Sequence, residues 1–268
     1  MKNHRSGFTL VELLVTITLI VALGAISFAG VRSVRQKSKS VVEINAARNL
    51  IAGYLGYAAD HNGQVLAGYR TDPTATNLQG ELLSDPMNAR YPWRLAPSVP
   101  SVKGVLLFNG TESVLDSENR DYLVSVHPNL GLNATLVGGH FGSGSPLPPT
   151  ARIIDAYGKF YLSHLAEADD PAKLIVFASA RSGVAKPGYF EIRPPNLTER
   201  VWASRKFTPT SEARAYGFVD LRWGNKAVVA MLGGNVELLD ETQLRDMRRW
   251  SHQAALANDA QFKIARAE

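Results

Sequence analysis

From Phe8 to Val31 the chain carries one ionisable side chain, Glu12, among Leu, Val, Ile, Ala and Phe. No other stretch constrains the fold so strongly. At 1.5 Å per helical residue it reaches about 36 Å, against a hydrocarbon core of roughly 30 Å, so the segment predicts a membrane-spanning helix. Thr9, Thr16, Thr18 and Ser27 are able to bond back to the helix's own carbonyls, and no backbone group need go unpaired in lipid. Glu12 is the anomaly. An acid in hydrocarbon costs on the order of 2.5 to 3.5 kcal/mol and calls for a partner, yet no Lys or Arg lies in the span. The alternative is that Glu12 lies near the membrane surface and snorkels outward.

The leader in front of this run is short and basic, with Lys2 and Arg5, and joins it through Gly7. An ordinary secretory signal would use the same charges, with Leu13 to Leu23 as its apolar region and Ala22-Leu-Gly-Ala25 as its cleavage site. Glu12 inside the apolar region is awkward for that reading. The string Gly7-Phe8-Thr-Leu-Val-Glu12 resembles the prepilin leader of type IV pilins and type II secretion pseudopilins. The resemblance implies cleavage between Gly7 and Phe8 by a prepilin peptidase, methylation of the new Phe8 amine by the same enzyme, and pairing of Glu12 with the amine of a neighbouring subunit. It also implies a single-pass protein of the bacterial inner membrane with a periplasmic body. Its partners would be other pilin subunits and an inner-membrane assembly platform, and it would end in a periplasm-facing or surface filament.

Charge placement agrees only in part. Of 29 Lys plus Arg and 24 Asp plus Glu, the basic excess sits almost wholly in the first sixty residues, at Lys2, Arg5, Arg32, Arg35, Lys37, Lys39 and Arg48 against Glu12, Glu43 and Asp60. The remainder is near balance, so a nucleic-acid surface on the body is not expected. Arg32 to Lys39 follow the span, and the positive-inside rule alone would not put the body outside; the leader resemblance does.

Val41, Ile44, Ala47, Ile51, Leu55 and Ala58 recur at steps of three or four and predict one apolar stripe on a helix ending at Asp60, before His61-Asn-Gly63. The two halves would form a stem of about fifty residues, roughly 75 to 80 Å if straight, with Gly24 and Gly30 as weak points. The expected organisation is a leader (1–7), a membrane half of the stem (8–31), an amphipathic half (32–60) and an extracytoplasmic body (61–268). The expected fold class is α+β and pilin-like, a stem helix packed on a body with an antiparallel β-sheet.

Within the body, short apolar runs predict strands at 105–108, 122–126, 174–177 and 189–192, and exposed loops at 138–150 and 194–210. Residues 226–231 and 236–239 flank Gly233-Gly-Asn235 and predict a hairpin. Asp240 with Gln243 predicts a capping box for a helix over 241–257. The segment Tyr216 to Glu237 resembles the C-terminal hairpin of prepilin-like proteins of planctomycete and verrucomicrobial bacteria, whose turn commonly reads Asp-Gly-His; Gly-Gly-Asn here lacks the acid and the imidazole.

Signals for chemistry are poor. Nucleophile-elbow, zinc-protease and phosphate-loop motifs are missing, the six histidines are dispersed, and cysteine is absent. An enzyme is not expected, nor a cofactor, with one exception: Asp116, Glu118 and Asp121 offer oxygens for calcium. Major pseudopilins bind calcium in their C-terminal region, which the resemblance carries over. Arg120 among the oxygens and the missing central glycine favour a solvated acidic loop instead. Three Asn-x-Thr sequons, at Asn109, Asn133 and Asn196, read as chance behind a bacterial leader. The competing function is a membrane-tethered enzyme or carbohydrate-binding body on a pilin-like anchor, for which Tyr91, Trp93, Trp202 and Trp223 would be candidates, against core packing.

Overall fold

The computed structural model of the chain describes residues 9–267, with the side chains at 25–30 and 32–33 outside that description. Thr9 starts the first helix, α1, which spans Leu10–Asp60 and runs through both Gly24 and Gly30. It stops where the sequence leaves right-handed space: Asn62 and Gly63 take φ of 55° and 84°. The Gly63 N–H reaches back 2.7 Å to the Ala58 carbonyl, capping the last turn.

The chain divides into two units, residues 1–41 and 42–268. In the first, the described apolar side chains of α1 are about half exposed or more, Leu10 at 80 %. Thr16 and Thr18 donate to the carbonyls of Leu13 and Leu14 at 2.8 and 2.7 Å, as expected of hydroxyls on an apolar helix. Among the described residues no helix is long and apolar enough to cross a membrane. The expected span at 8–31 includes Phe8 and the side chains of 25–30, which fall outside the described residues.

In the second unit the α1 residues turned inward are Glu43, Ala46, Ala47, Leu50, Ile51, Tyr54 and Ala58. The expected stripe is therefore corrected: Val41 is exposed, Ile44 and Leu55 are half-buried, and the true line passes through 43, 47, 50, 54 and 58. Gly53 sets the rotation, because a Cβ there would lie 2.6 Å from the Ser98 carbonyl oxygen.

After α1 come three short helices, α2 (Tyr91–Leu95), α3 (Val102–Val105) and α4 (Arg120–Val126), then strand β1 (Leu130–Leu132) and α5 (Ala151–Tyr157). Next are β2 (Ile175–Ser179), the small hairpin β3 (Arg181–Gly183) and β4 (Lys186–Pro187), and the long hairpin β5 (Lys226–Met231) and β6 (Val236–Asp240). The chain closes with α6 (Glu241–Leu244) and α7 (His252–Leu256). One antiparallel sheet runs β1-β2-β5-β6, in register at Leu132 with Phe177, Ala178 with Val229, and Ala230 with Val236.

Both faces of this sheet are covered. Val228 and Ala230 face a core shared with Leu50, Tyr54, Trp93 and Phe108, while Ala227, Val229 and Met231 face a second core built on Trp202, Tyr216 and Trp250. The period-two alternation of β5 is clean. In β2 a bulge between Ile175 and Phe177 breaks it, so the neighbours Val176 and Phe177 both join the first core.

The α+β class and antiparallel sheet match expectation, and so do the strand expected at 174–177, which runs over 175–179, and the 226–240 hairpin. Others are corrected. Residues 105–108 end α3 and turn, and 122–126 lie in α4, since a mostly apolar run of four or five residues is too short to separate helix from strand. Residues 189–192 form no named strand but run beside β1, with Leu132 N–H to the Phe190 carbonyl at 3.0 Å and Ile192 N–H to the Leu132 carbonyl at 2.8 Å. The 138–150 segment begins buried, at Gly138, Gly139 and His140, and 194–197 is buried as well.

The expected helix over 241–257 is broken into α6, a 3-10 turn at Met247–Arg249, and α7. Its Asp240/Gln243 capping box is present. Trp250 interrupts it by turning into the core, where its indole N–H donates to the Leu244 carbonyl at 2.8 Å, and Ser251 starts α7 as a fresh cap.

Candidate functional site

Gly7 and Phe8, the expected cleavage and methylation positions, lie outside the described residues. Glu12 is described and is exposed. Its Oε2 accepts from the Thr9 backbone N–H and the Thr9 hydroxyl, both at 2.9 Å, while the Glu12 N–H donates to Thr9 Oγ1 at 3.3 Å. This is a reciprocal capping box over the first turn of α1. The spacing Thr9-x-x-Glu12 spells it in the sequence, and reading Glu12 only as a misplaced charge missed it. Both acceptor contacts use Oε2, and among the described residues no hydrogen bond reaches Oε1.

The calcium set is not assembled. Asp116 ends a 3-10 turn, Glu118 follows in a loop, and Asp121 sits in the first turn of α4. Asp121 Oδ2 accepts from Asn77 Nδ2 at 2.9 Å, and its Oδ1 lies 3.8 Å from Arg120 Nε. Among the described residues no three His, Cys, Asp or Glu are placed to hold a metal ion. Asp121 is turned to a structural amide and a guanidinium instead of to its acidic neighbours.

The aromatic candidates do not line a cleft. Tyr91, Trp93 and Trp202 are buried, and their polar ends donate to the carbonyls of Leu130 (2.5 Å), Asp121 (2.7 Å) and Arg193 (2.8 Å). Trp223 is half-buried against the first core. Asn133 of the second sequon is fully buried, its amide donating to the carbonyls of Ile175 and Trp250 at 3.0 Å each.

Two buried polar clusters were not foreseen. The first centres on Glu43, a carboxylate on the inner face of α1 with no exposed surface. Ser179 of β2 donates its hydroxyl to Oε1 in a short bond and itself accepts from the Val228 N–H at 2.9 Å. Arg222 Nη1 lies 3.8 Å from Oε2, and Arg222 Nε lies 2.9 Å from Asp220. Burial pushes the Glu43 carboxyl above its ordinary range; Arg222, the Ser179 hydroxyl and the Trp223 indole N–H pull it back. An acid at i, with Ala47 and Leu50 at i+4 and i+7, is the sequence signal that marks it.

The second cluster joins the 138–150 segment to the 189–193 segment. His140 Nε2 lies 3.5 Å from Glu191 Oε2, Arg193 binds Glu191 Oε1 through Nη2 at 2.6 Å and Nε at 3.0 Å, and Tyr69 stacks on the imidazole at 4.7 Å. Burial, with Arg193 nearby, pushes His140 down to about 4, and burial pushes Glu191 up. His140 is therefore neutral at pH 7. Its Nδ1 accepts from the Gly142 N–H at 3.2 Å, so Nε2 carries the proton that faces Glu191. These groups brace a loop and a sheet edge.

No curated protein and no solved structure matches the chain. The N-terminal segment does have a match, over residues 2–28, to the family model described as the prokaryotic N-terminal methylation motif. That motif implies processing by prepilin peptidase and assembly with other pilin subunits. With Gly7, Phe8 and Glu12 inside the matched segment and a helix beginning at Leu10, the chain carries the prepilin-type signature of type IV pilins and pseudopilins.

Proposed function

We propose that the protein is a structural subunit of a type II secretion pseudopilus or a type IV pilus-like filament. The observation that carries this reading is the methylation motif at residues 2–28, set on a helix whose described apolar side chains are exposed from Leu10 to Leu23. Exposed Leu, Ile and Val in such density need an apolar surrounding, first lipid and then the stems of other subunits. In this reading the 8–31 segment is the single membrane span, the body is periplasmic, and cleavage after Gly7 frees the Phe8 amine for methylation. Glu12 Oε1 then receives the amine of a neighbouring subunit, which sets the register between stems. The mechanism is assembly, and no catalytic role is assigned to the body.

Intact mass and N-terminal sequencing of the protein from its native membrane test this directly, with Glu12→Ala beside it. The expected mature chain begins at methylated Phe8, and Glu12→Ala is expected to be cut normally but lost from sheared filaments. A mature chain beginning near Ile26, or an uncut one, would overturn the reading.

A further inference from the structure

Buried guanidinium groups ordinarily face a carboxylate, because an uncompensated charge removed from water is strongly unfavourable. Arg181, which opens β3, departs from that rule. It is 3 % exposed, its Nη1 donates to the Pro209 carbonyl at 2.9 Å and its Nη2 to the Ser211 carbonyl at 2.7 Å. Its Nε is buried without a hydrogen-bond partner. Among the described residues it has no ion pair: Asp220 acts on it only at longer range and is itself held at 2.9 Å by Arg222.

Arg181 lines an open pocket of about 600 Å³, bounded by the β3–β4 hairpin, the 207–210 segment and the 220–225 turn. Its lining holds three cations, Arg181, Lys186 and Arg222, and one carboxylate, Asp220. Arg222 is shared between Asp220 at 2.9 Å and the buried Glu43 at 3.8 Å. Arg181 and Lys186 are left without a carboxylate among the described residues, the first held in place by two backbone carbonyls and the second exposed. Phe207, with the Arg181 guanidinium carbon 4.7 Å above its ring, and Val184 supply apolar wall.

We propose that this pocket binds an organic phosphate, with the phosphoryl group between Arg181 and Lys186 and its organic part against Phe207 and Val184. Two unpaired cations match the near-dianionic charge of a phosphate monoester, whereas a carboxylate would answer only one. Each Arg181 Nη keeps one N–H beyond its carbonyl bond, and these with the Lys186 point charge form a donor set that phosphate oxygens take up. The volume is in the range that small-molecule sites occupy. The group has two sources, a soluble phosphate ester or an anionic lipid headgroup. The inference stands apart from the filament reading, since every residue it uses lies in the body.

The test is calorimetric titration of the full chain in neutral detergent with glycerol 3-phosphate, dihexanoyl phosphatidic acid, dihexanoyl phosphatidylcholine and acetate, at constant ionic strength. The wild type is expected to bind the two phosphate monoesters, with Lys186→Glu at least tenfold weaker and Lys186→Arg within about threefold. Lys186 is exposed, so neither variant should disturb folding. Phosphatidic acid at least tenfold tighter than glycerol 3-phosphate assigns the lipid source, and equal affinity the soluble one. Acetate binding as tightly as the phosphates, no binding by any probe, or unchanged affinity in Lys186→Glu overturns the proposal.

Discussion

The two glutamates on the inner and outer parts of α1 are the same residue type on the same helix, held by opposite means. Glu12 is exposed and finds its donors three residues away, on Thr9, so its geometry is written entirely in local sequence. Glu43 is fully buried and finds its donor 136 positions away, on Ser179, with Arg222 closing the other oxygen. The first arrangement survives any change in the body. The second exists only when the body is folded around it. One helix thus carries a carboxylate free to take a new partner and another committed to an internal one.

The largest expected effect comes from removing the cation that faces the committed carboxylate. Arg222→Met leaves Glu43 buried with only the Ser179 hydroxyl as donor, and is expected to lower unfolding stability by about 3 to 5 kcal/mol at pH 7. Because burial already holds the Glu43 carboxyl above its ordinary 4.5, the native state binds its proton more tightly than the unfolded state does. The contribution of that group is therefore full below pH 4.5 and is lost as pH rises through its folded value. The deficit of Arg222→Met should shrink as pH falls. Adding Glu43→Gln, which cannot ionise, should restore most of the stability at pH 7. Urea unfolding across pH measures both, and a deficit that ignores pH and the second substitution would show that Glu43 is not held by charge.

A smaller effect of opposite sign is expected at His140. Its folded value of about 4 lies below the ordinary 6.5, so its contribution is present above pH 6.5 and lost as pH falls toward 4. The interval corresponds to about 3 kcal/mol. His140→Gln should flatten the rise in stability between pH 4 and 6.5 without abolishing folding. Denaturant midpoints at closely spaced pH values would test it; an unchanged slope would mean that the imidazole is not the titrating group.

These clusters also mark where sequence stops being informative. The β5–β6 hairpin, the Asp240/Gln243 cap and the end of α1 were legible because each depends on residues within a few positions of one another: Gly233 to Asn235, a three-residue cap, and His61 to Gly63. The Glu12 cap belongs with them and was readable. Residues 105–108 and 122–126 were not, because a run of four or five mostly apolar residues is too short to separate helix and strand periods. His140, Glu191 and Arg181 were illegible for a different reason. Their environments are assembled from segments far apart in the chain, and nothing beside them in sequence announces that they will be buried. The Glu43 position could be marked by its apolar neighbours, but its partners could not.

The smallest effect separates the two halves of α1 by their glycines. A Cβ at Gly24 meets nothing within 4 Å, whereas one at Gly53 would lie 2.6 Å from the Ser98 carbonyl oxygen and 2.7 Å from Val99 Cγ1. Backbone oxygen does not yield as a side-chain tip does, so Gly53→Ala must move the helix away from the 96–99 turn, at about 1 to 3 kcal/mol. Gly24→Ala gains helix propensity of about 1 kcal/mol locally. It is expected to leave the unfolding midpoint of the body where it is. Thermal unfolding of both variants, followed by near-ultraviolet circular dichroism of the buried tryptophans, reads the difference. Equal shifts would mean that the inner half of α1 is not packed as closely on the 96–99 turn as these distances require, and the contrast between a free half and a committed half of the helix would fail with it.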